Sequence, residues 1–204
     1  MLAETFRRVA TIRIRHMATI GGALAHADPN QDPPVTLLAL GATVEVRGAR
    51  GARAIPLAEF FATTTKPPSS RASWCTAVTV PSLPAASGAE LLKFLPRTAD
   101  DYATVATAAI VTLERDGARC REARIALGSV GVTPLRATSA ERLLRGEALG
   151  ESLLSAAGEA AKAAVDPLSD HRGSAAYKRE MTAVMVGRAL GQAWEAARRS
   201  QDKP

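Results

Sequence analysis

The sequence predicts an α+β fold in two layers, a small mixed domain followed by an antiparallel sheet backed by helices. Three observations predict it. Strand candidates at residues 90–95, 103–113 and 120–127 follow one another over short links, and Asp116-Gly117 is a tight-turn pair between the last two. After Gly128 and Pro134 the pattern changes from alternation to helical periodicity. Before residue 81 the chain mixes short helical runs with one hairpin pattern.

In chain order, residues 3–11 suit a short helix with Phe6, Val9 and Ala10 on one face. Residues 11–15 alternate and predict an extended continuation. Residues 19–32 are small, glycine-bearing and acid-tipped. Gly21 and Gly22 remove two Cβ atoms in succession, so a sharp, ligand-facing turn is expected there, with the Thr19 hydroxyl beside the bare backbone. Pro33 and Pro34 favour a helix start, with Asp32 placed to cap it. Residues 35–40 then form a buried helix that ends at Gly41. Residues 42–47 read as a strand, 48–51 as a hairpin loop, 53–56 as the return strand, and 57–61 as a short apolar turn or helix. Residues 62–73, rich in Thr, Pro and Ser, read as a mobile loop. Residues 74–80 alternate strongly until Pro81.

The segment from Pro81 to Gly88 reads as a linker, which divides the chain into domains 1–84 and 88–204. Beyond the three strands, Thr138-x-x-Glu141 is a capping-box pattern opening a helix with Leu143 and Leu144. Residues 151–165 form an Ala-rich amphipathic helix. Residues 174–199 form a long final helix whose apolar side includes Tyr177, Met181, Val184 and Met185. The tail from Ser200 is polar and expected to fray.

Composition narrows the function. Of 204 residues, 47% are hydrophobic, enough for a core and too many for a disordered chain. Aromatics are only 4%, which argues against a stacking platform for single-stranded nucleic acid. The net charge is +6, but the cations are mostly Arg scattered among acids in runs of no more than two. That is a mixed-charge surface, and nucleic acid binding is not expected. Cys75 and Cys120 make neither a metal pattern nor a disulfide framework, so a reducing, cytoplasmic setting is expected. No apolar run reaches the ~18 residues of a membrane span, and the first ten residues carry no secretory h-region.

The Gly21-Gly22 stretch is the leading candidate for chemistry. Exposed amides and a hydroxyl suit a pyrophosphate, and a nearby carboxylate suits a ribose hydroxyl or a ring N–H. No Walker Lys follows, and no third Gly completes a dinucleotide fingerprint. His26 reads as a ligand, a base or a polar residue satisfied in its turn, with no metal spacing around it. His16 and His171 say less, and no nucleophile elbow or His-bearing triad is visible. Arg97, Asp100, Asp101 and Tyr102 form a charged corner. Lys93, between Leu92 and Phe94, is expected to emerge opposite the apolar face, either solvated or against an anionic ligand.

Taken together, residues 14–22, 25–29 with Asp32, 37–44, 76–81, 93–103, 127–134 and 173–179 resemble, in order, the flavin (medium) subunit of the xanthine dehydrogenase and carbon monoxide dehydrogenase family of molybdenum hydroxylases. The resemblance implies a partial PCMH-type FAD-binding domain, followed by an antiparallel sheet with helices like the CO dehydrogenase flavoprotein C-terminal domain. It places Thr19, Ile20, Gly21, Gly22 and Ala23 on FAD, with Asp32 bonding it. Trp74 and Cys75 fall where a hydrophobic pair approaches the isoalloxazine ring, and Lys93 matches a basic position near the flavin. The family often has Asn where Ala23 stands, and an acidic residue where Ser73 stands. Its first, Gly-rich FAD subdomain has no counterpart among residues 1–18. The implied function is electron transfer through FAD between an iron–sulfur [2Fe-2S] small subunit and an external acceptor, with a molybdenum-cofactor large subunit as the other partner. The alternative is a flavin-free scaffold or interaction fragment.

Overall fold

A computed structural model describes residues 1–49, 51–61, 73–98 and 100–201. Two antiparallel sheets form the frame. The first has the order β2-β1-β3, from β1 (Thr43–Gly48), β2 (Gly51–Pro56) and β3 (Ser73–Thr79). The second runs β4-β5-β6-β7, from β4 (Ser87–Phe94), β5 (Val105–Leu113), β6 (Cys120–Gly128) and β7 (Leu135–Arg136). Mixed helix and antiparallel sheet is the class the sequence predicts.

The pleat of β5 explains how the layers assemble. Every residue of β5 is buried. Val105, Ala109, Val111 and Leu113 join a core with the C-terminal helices, whereas Ala106, Ala108 and Ile110 join a second core with the N-terminal half. Alternate side chains of one strand thus enter opposite cores, as a period of two requires. A strand covered on both faces reads as a near-continuous apolar run, and residues 105–113 are apolar except for Thr107 and Thr112. The helices on one face are α6 (Thr138–Leu144), α7 (Glu151–Lys162) and α8 (Ala175–Gln201). Gly88 of β4 lets α8 approach so closely that a Cβ there would lie 2.0 Å from the Ala193 carbonyl oxygen.

The other face carries α4 (Asp32–Leu40), which packs on β5 and β6 and is buried along its whole length. It stops as expected at Gly41, whose φ of 71° is left-handed. The short α5 (Leu57–Phe60) buries Leu57 and Phe60 in the same core. Against α4 pack α1 (Leu2–Arg8) and α3 (Ile20–His26), with α2 (Ile12–Met17) between them in the chain.

Several expectations change. Residues 12–17 are helical, not extended: Thr11 caps α2 by accepting from the Ile14 amide at 3.5 Å. Gly21 and Gly22 lie in the first turn of α3 and form no free turn. The Thr19 hydroxyl accepts from the Gly22 amide at 2.9 Å, and this cap offsets the low helix propensity of two glycines. Asp32 is the first residue of α4 and makes no capping bond. Thr138-x-x-Glu141 forms no capping box either: Glu141 is turned into the fold, where Oε1 accepts from the Ile125 amide at 2.8 Å and both oxygens hold Arg136. The buried side of α8 is carried by Thr182, Met185, Val186, Ala189, Leu190 and Ala193, while Tyr177 and Val184 are exposed. Helix α8 continues to Gln201, whose amide donates to the Glu114 and Arg115 carbonyls. The loop expected at 62–73 lies outside the described residues except Ser73, which opens β3.

Candidate functional site

A cavity of about 790 Å³ opens where the N-terminal helices meet the end of β4. Its wall is assembled from distant parts of the chain. Helix α3 and its cap supply Thr19, Gly22, Ala23 and His26; the start of α4 supplies Asp32, preceded by Gln31. From β4 comes Lys93, from the corner after it Arg97, Asp101 and Tyr102, and from the turn before α8 His171 and Arg172.

Local chemistry fixes each part. Thr19 holds its hydroxyl at the α3 cap, so the backbone of Gly21 and Gly22 is presented without side chains. Among the described residues a Cβ on Gly21 would meet nothing within 4 Å, whereas one on Gly22 would lie 3.0 Å from the Thr19 Oγ1. Ala10 adopts a left-handed φ of 38°, and the Arg15 guanidinium ties that corner by donating to the Val9 carbonyl at 2.6 Å and to that of Ala10. Asp28 accepts from the amide and the side chain of Asn30, both at 2.8 Å.

At the floor, Lys93 Nζ donates to Asp32 Oδ2 at 2.9 Å and to the Arg8 carbonyl at 3.4 Å. Lys93 therefore turns inward and pairs with Asp32; it does not emerge into solvent opposite the apolar face. Burial pushes the Asp32 carboxyl above its ordinary range, and the Lys93 charge and hydrogen bond pull it back only in part. Asp32 Oδ1 and Gln31 Oε1 are buried and have no hydrogen-bond partner among the described residues. At the rim, Arg172 stacks 5.5 Å from the Tyr102 ring centroid. Burial and the neighbouring Asp28 carboxylate raise the Tyr102 phenol, against the opposing Arg172 charge. The corner read from the sequence is a salt-bridged turn, with Arg97 Nε 3.4 Å from Asp101 Oδ2.

Five of the nine candidate residues meet in this cavity: Thr19, Gly22, Ala23, Asp32 and Lys93. Gly21 adjoins them in α3, and Ile20 packs toward the N-terminal core. Trp74 and Cys75 do not line the cavity. They stand on β3, which packs beside α3; Trp74 is 79% exposed and Cys75 touches the N-terminal core. Sequence reasoning missed Arg15 and Arg172, and it gave His171 no role. For His171 and Arg172 the signal is long-range: Arg172 is 153 positions from Thr19 (172 − 19) and no local pattern links them, whereas Arg15 lies close to Thr19 in sequence. Among the described residues no group of acids, His and Cys could hold a metal ion, and no helix is long and apolar enough to cross a membrane.

Two family models match the chain in succession. The FAD binding domain in molybdopterin dehydrogenase matches residues 1–83, and the CO dehydrogenase flavoprotein C-terminal domain matches residues 90–193. The chain is 37% identical to the 6-hydroxypseudooxynicotine dehydrogenase complex subunit alpha of Paenarthrobacter nicotinovorans, over 99% of this chain and 68% of that one. It is 36% identical to the carbon monoxide dehydrogenase medium chain of Afipia carboxidovorans, over 95% of this chain and 66% of that one. Its structure superposes on a chain of carbon monoxide dehydrogenase from Hydrogenophaga pseudoflava with a TM-score of 0.92 at 36% identity, covering 96% of this chain and 67% of that one. The chain spans about two thirds of the length of these relatives. With both halves matched in order and the fold shared along nearly its whole length, the chain belongs to the family of FAD-binding medium subunits of the carbon monoxide dehydrogenase and xanthine dehydrogenase oxidoreductases.

Proposed function

We propose that this chain binds FAD in the 790 Å³ cavity and acts as the electron-transfer subunit of a molybdenum hydroxylase. In this reading its partners are an iron–sulfur [2Fe-2S] small subunit and a molybdenum-cofactor large subunit, it works in the cytoplasm, and residues 1–84 and 88–204 are its two domains. The observation that carries the proposal is the meeting of Thr19, Gly22, Ala23, Asp32 and Lys93, which the sequence resemblance puts on FAD, in one cavity.

The residues present fit the cofactor. The volume is that of a cofactor site. Among the described residues the Gly21 backbone is bare and open, and Asp32 Oδ1 and Gln31 Oε1 are buried acceptors that lack donors. When bound, FAD supplies the chemistry that links one-electron and two-electron carriers. The chain binds and orients it. Gly21 and Gly22 permit close approach of the backbone, and Asp32 and Gln31 accept from hydroxyl or N–H groups. Lys93 holds the Asp32 carboxylate in place, and Arg172, Arg97 and Arg15 favour an anionic ligand. Ala23 contributes no side-chain hydrogen bond. Trp74 and Cys75 are assigned to the isoalloxazine side.

A second reading, a flavin-free interaction fragment, is favoured by one observation: Ala23, on the cavity wall, offers a cofactor no side-chain hydrogen bond. Absorbance after desalting separates the two. Protein mixed with FAD retains flavin absorbance under the first reading. Colourless protein, even with the N-terminal FAD subdomain of a relative added in trans, overturns the first, and the second further requires that the colourless chain retain an iron–sulfur or molybdenum subunit in a pull-down.

A further inference from the structure

The Lys178 residue is 3% exposed, a buried ammonium near the start of α8. Its Nζ lies 2.8 Å from Asp170 Oδ2 and donates to the Leu168 carbonyl at 2.9 Å. Asp170 Oδ1 accepts from the Arg172 amide at 2.8 Å, and Arg172 Nη1 stands 3.4 Å from Oδ2. Asp170 and Gly173 exchange two backbone hydrogen bonds of 3.1 Å, which close the turn. Thr104 Oγ1, beside β5, donates to the Arg172 carbonyl at 3.3 Å. His171 and Arg172, at the tip, line the cavity. Burial raises the Asp170 carboxyl, but the bonds from Lys178 and the Arg172 amide outweigh it, so the net shift is downward.

A buried ammonium is expensive unless paired, and an apolar side chain of similar volume would fill this helix face at lower cost. The charge is therefore explained by what it holds. We propose that Lys178 is a positioning residue: through Asp170 it sets the turn that carries His171 and Arg172 into the cavity lined by Thr19, Asp32 and Lys93. The ligand is the anionic dinucleotide of the proposed function, on which this inference rests.

Amide hydrogen exchange and FAD titration of the full chain test it, on the wild type, K178M and K178R. In K178M the Arg172 and Gly173 amides exchange at least about tenfold faster, as loss of a charge-assisted hydrogen bond implies, with the α7 amides unchanged. The FAD Kd rises about tenfold, and K178R restores both. Asp170→Asn leaves the Lys178–Leu168 bond in place and reproduces the effect if K178M does not fold. Unchanged exchange at Arg172 and Gly173, or faster exchange with an unchanged Kd, overturns the inference. If the wild type takes up no FAD, the proposed function fails, and the exchange comparison alone decides the role of Lys178.

Discussion

Lys93 Nζ lies 2.9 Å from Asp32 Oδ2, with the two side chains 5% and 7% exposed. The pair joins β4 to the first residue of α4, so it ties the two halves of the chain together at the floor of the cavity. It also changes what each residue offers a ligand. Lys93 is engaged by Asp32 and the Arg8 carbonyl, and Asp32 keeps one oxygen without a partner among the described residues.

Removing one partner leaves a buried, uncompensated charge. Lys93→Met is expected to cost about 3–5 kcal/mol in urea unfolding. The double variant K93M/D32L recovers most of that loss, because a packed apolar pair replaces the ions. A K93M midpoint close to that of the wild type contradicts the buried pair.

The Thr19 cap and Gly22 are coupled. Thr19→Ala removes an N-cap worth about 1 kcal/mol. Gly22→Ala puts a methyl 3.0 Å from the Thr19 Oγ1 and displaces the same hydroxyl. The two losses are therefore less than additive in a thermal double-mutant cycle. Strict additivity shows that the cap is not formed.

The Asp170 carboxyl lies below its ordinary value of 3.8 in the folded chain. A depressed carboxyl adds stability above its unfolded value and loses it as the pH falls through its folded value. The gap in Tm between the wild type and D170N is thus steady near about pH 6 and closes on acidification below about pH 4. A gap that stays constant through this acid range contradicts the Asp170–Lys178 link. Asp32 has the opposite sign: its raised carboxyl contributes stability at low pH that is lost as the pH rises through the folded value.

Glu141 accepts from the Ile125 amide at 2.8 Å and from Arg136 at 2.6 and 2.7 Å. Glu141→Leu strands a buried amide and unpairs Arg136, at a cost of about 3 kcal/mol in denaturant unfolding. If Glu141 were only an N-terminal helix cap, the loss would be about 1 kcal/mol.

Much of the frame is legible in the sequence because its signals are local. The mostly apolar run of β5, the Asp116-Gly117 turn, the Gly41 stop and the paired prolines of α4 each act through neighbouring residues. Where two local signals conflict, the reading fails. Ile12 and Ile14 alternate like a strand, yet Thr11 caps a helix; the two glycines suggest a turn, yet Thr19 caps a helix across them. Glu141 has capping-box spacing, but Arg136 and the Ile125 amide take its carboxylate in tertiary contact. The site is half legible. Thr19, Gly22, Ala23 and Asp32 lie close in sequence. The inward turn of Lys93, 61 positions after Asp32, and the arrival of Arg172 depend on packing that no local pattern encodes.

Binding of FAD at the bare α3 backbone is tested most directly through Gly21. A Cβ there meets nothing within 4 Å among the described residues, and Ala favours a helix over Gly by up to about 1 kcal/mol. Gly21→Ala is therefore expected to hold or raise the Tm. A flavin fluorescence titration of the wild type with FAD should show saturable quenching, and G21A should weaken FAD by at least about tenfold, because the proposed function puts the cofactor against that backbone. Absence of saturable quenching in the wild type contradicts FAD binding by this chain, and equal affinity in G21A contradicts the placement of FAD against the α3 backbone.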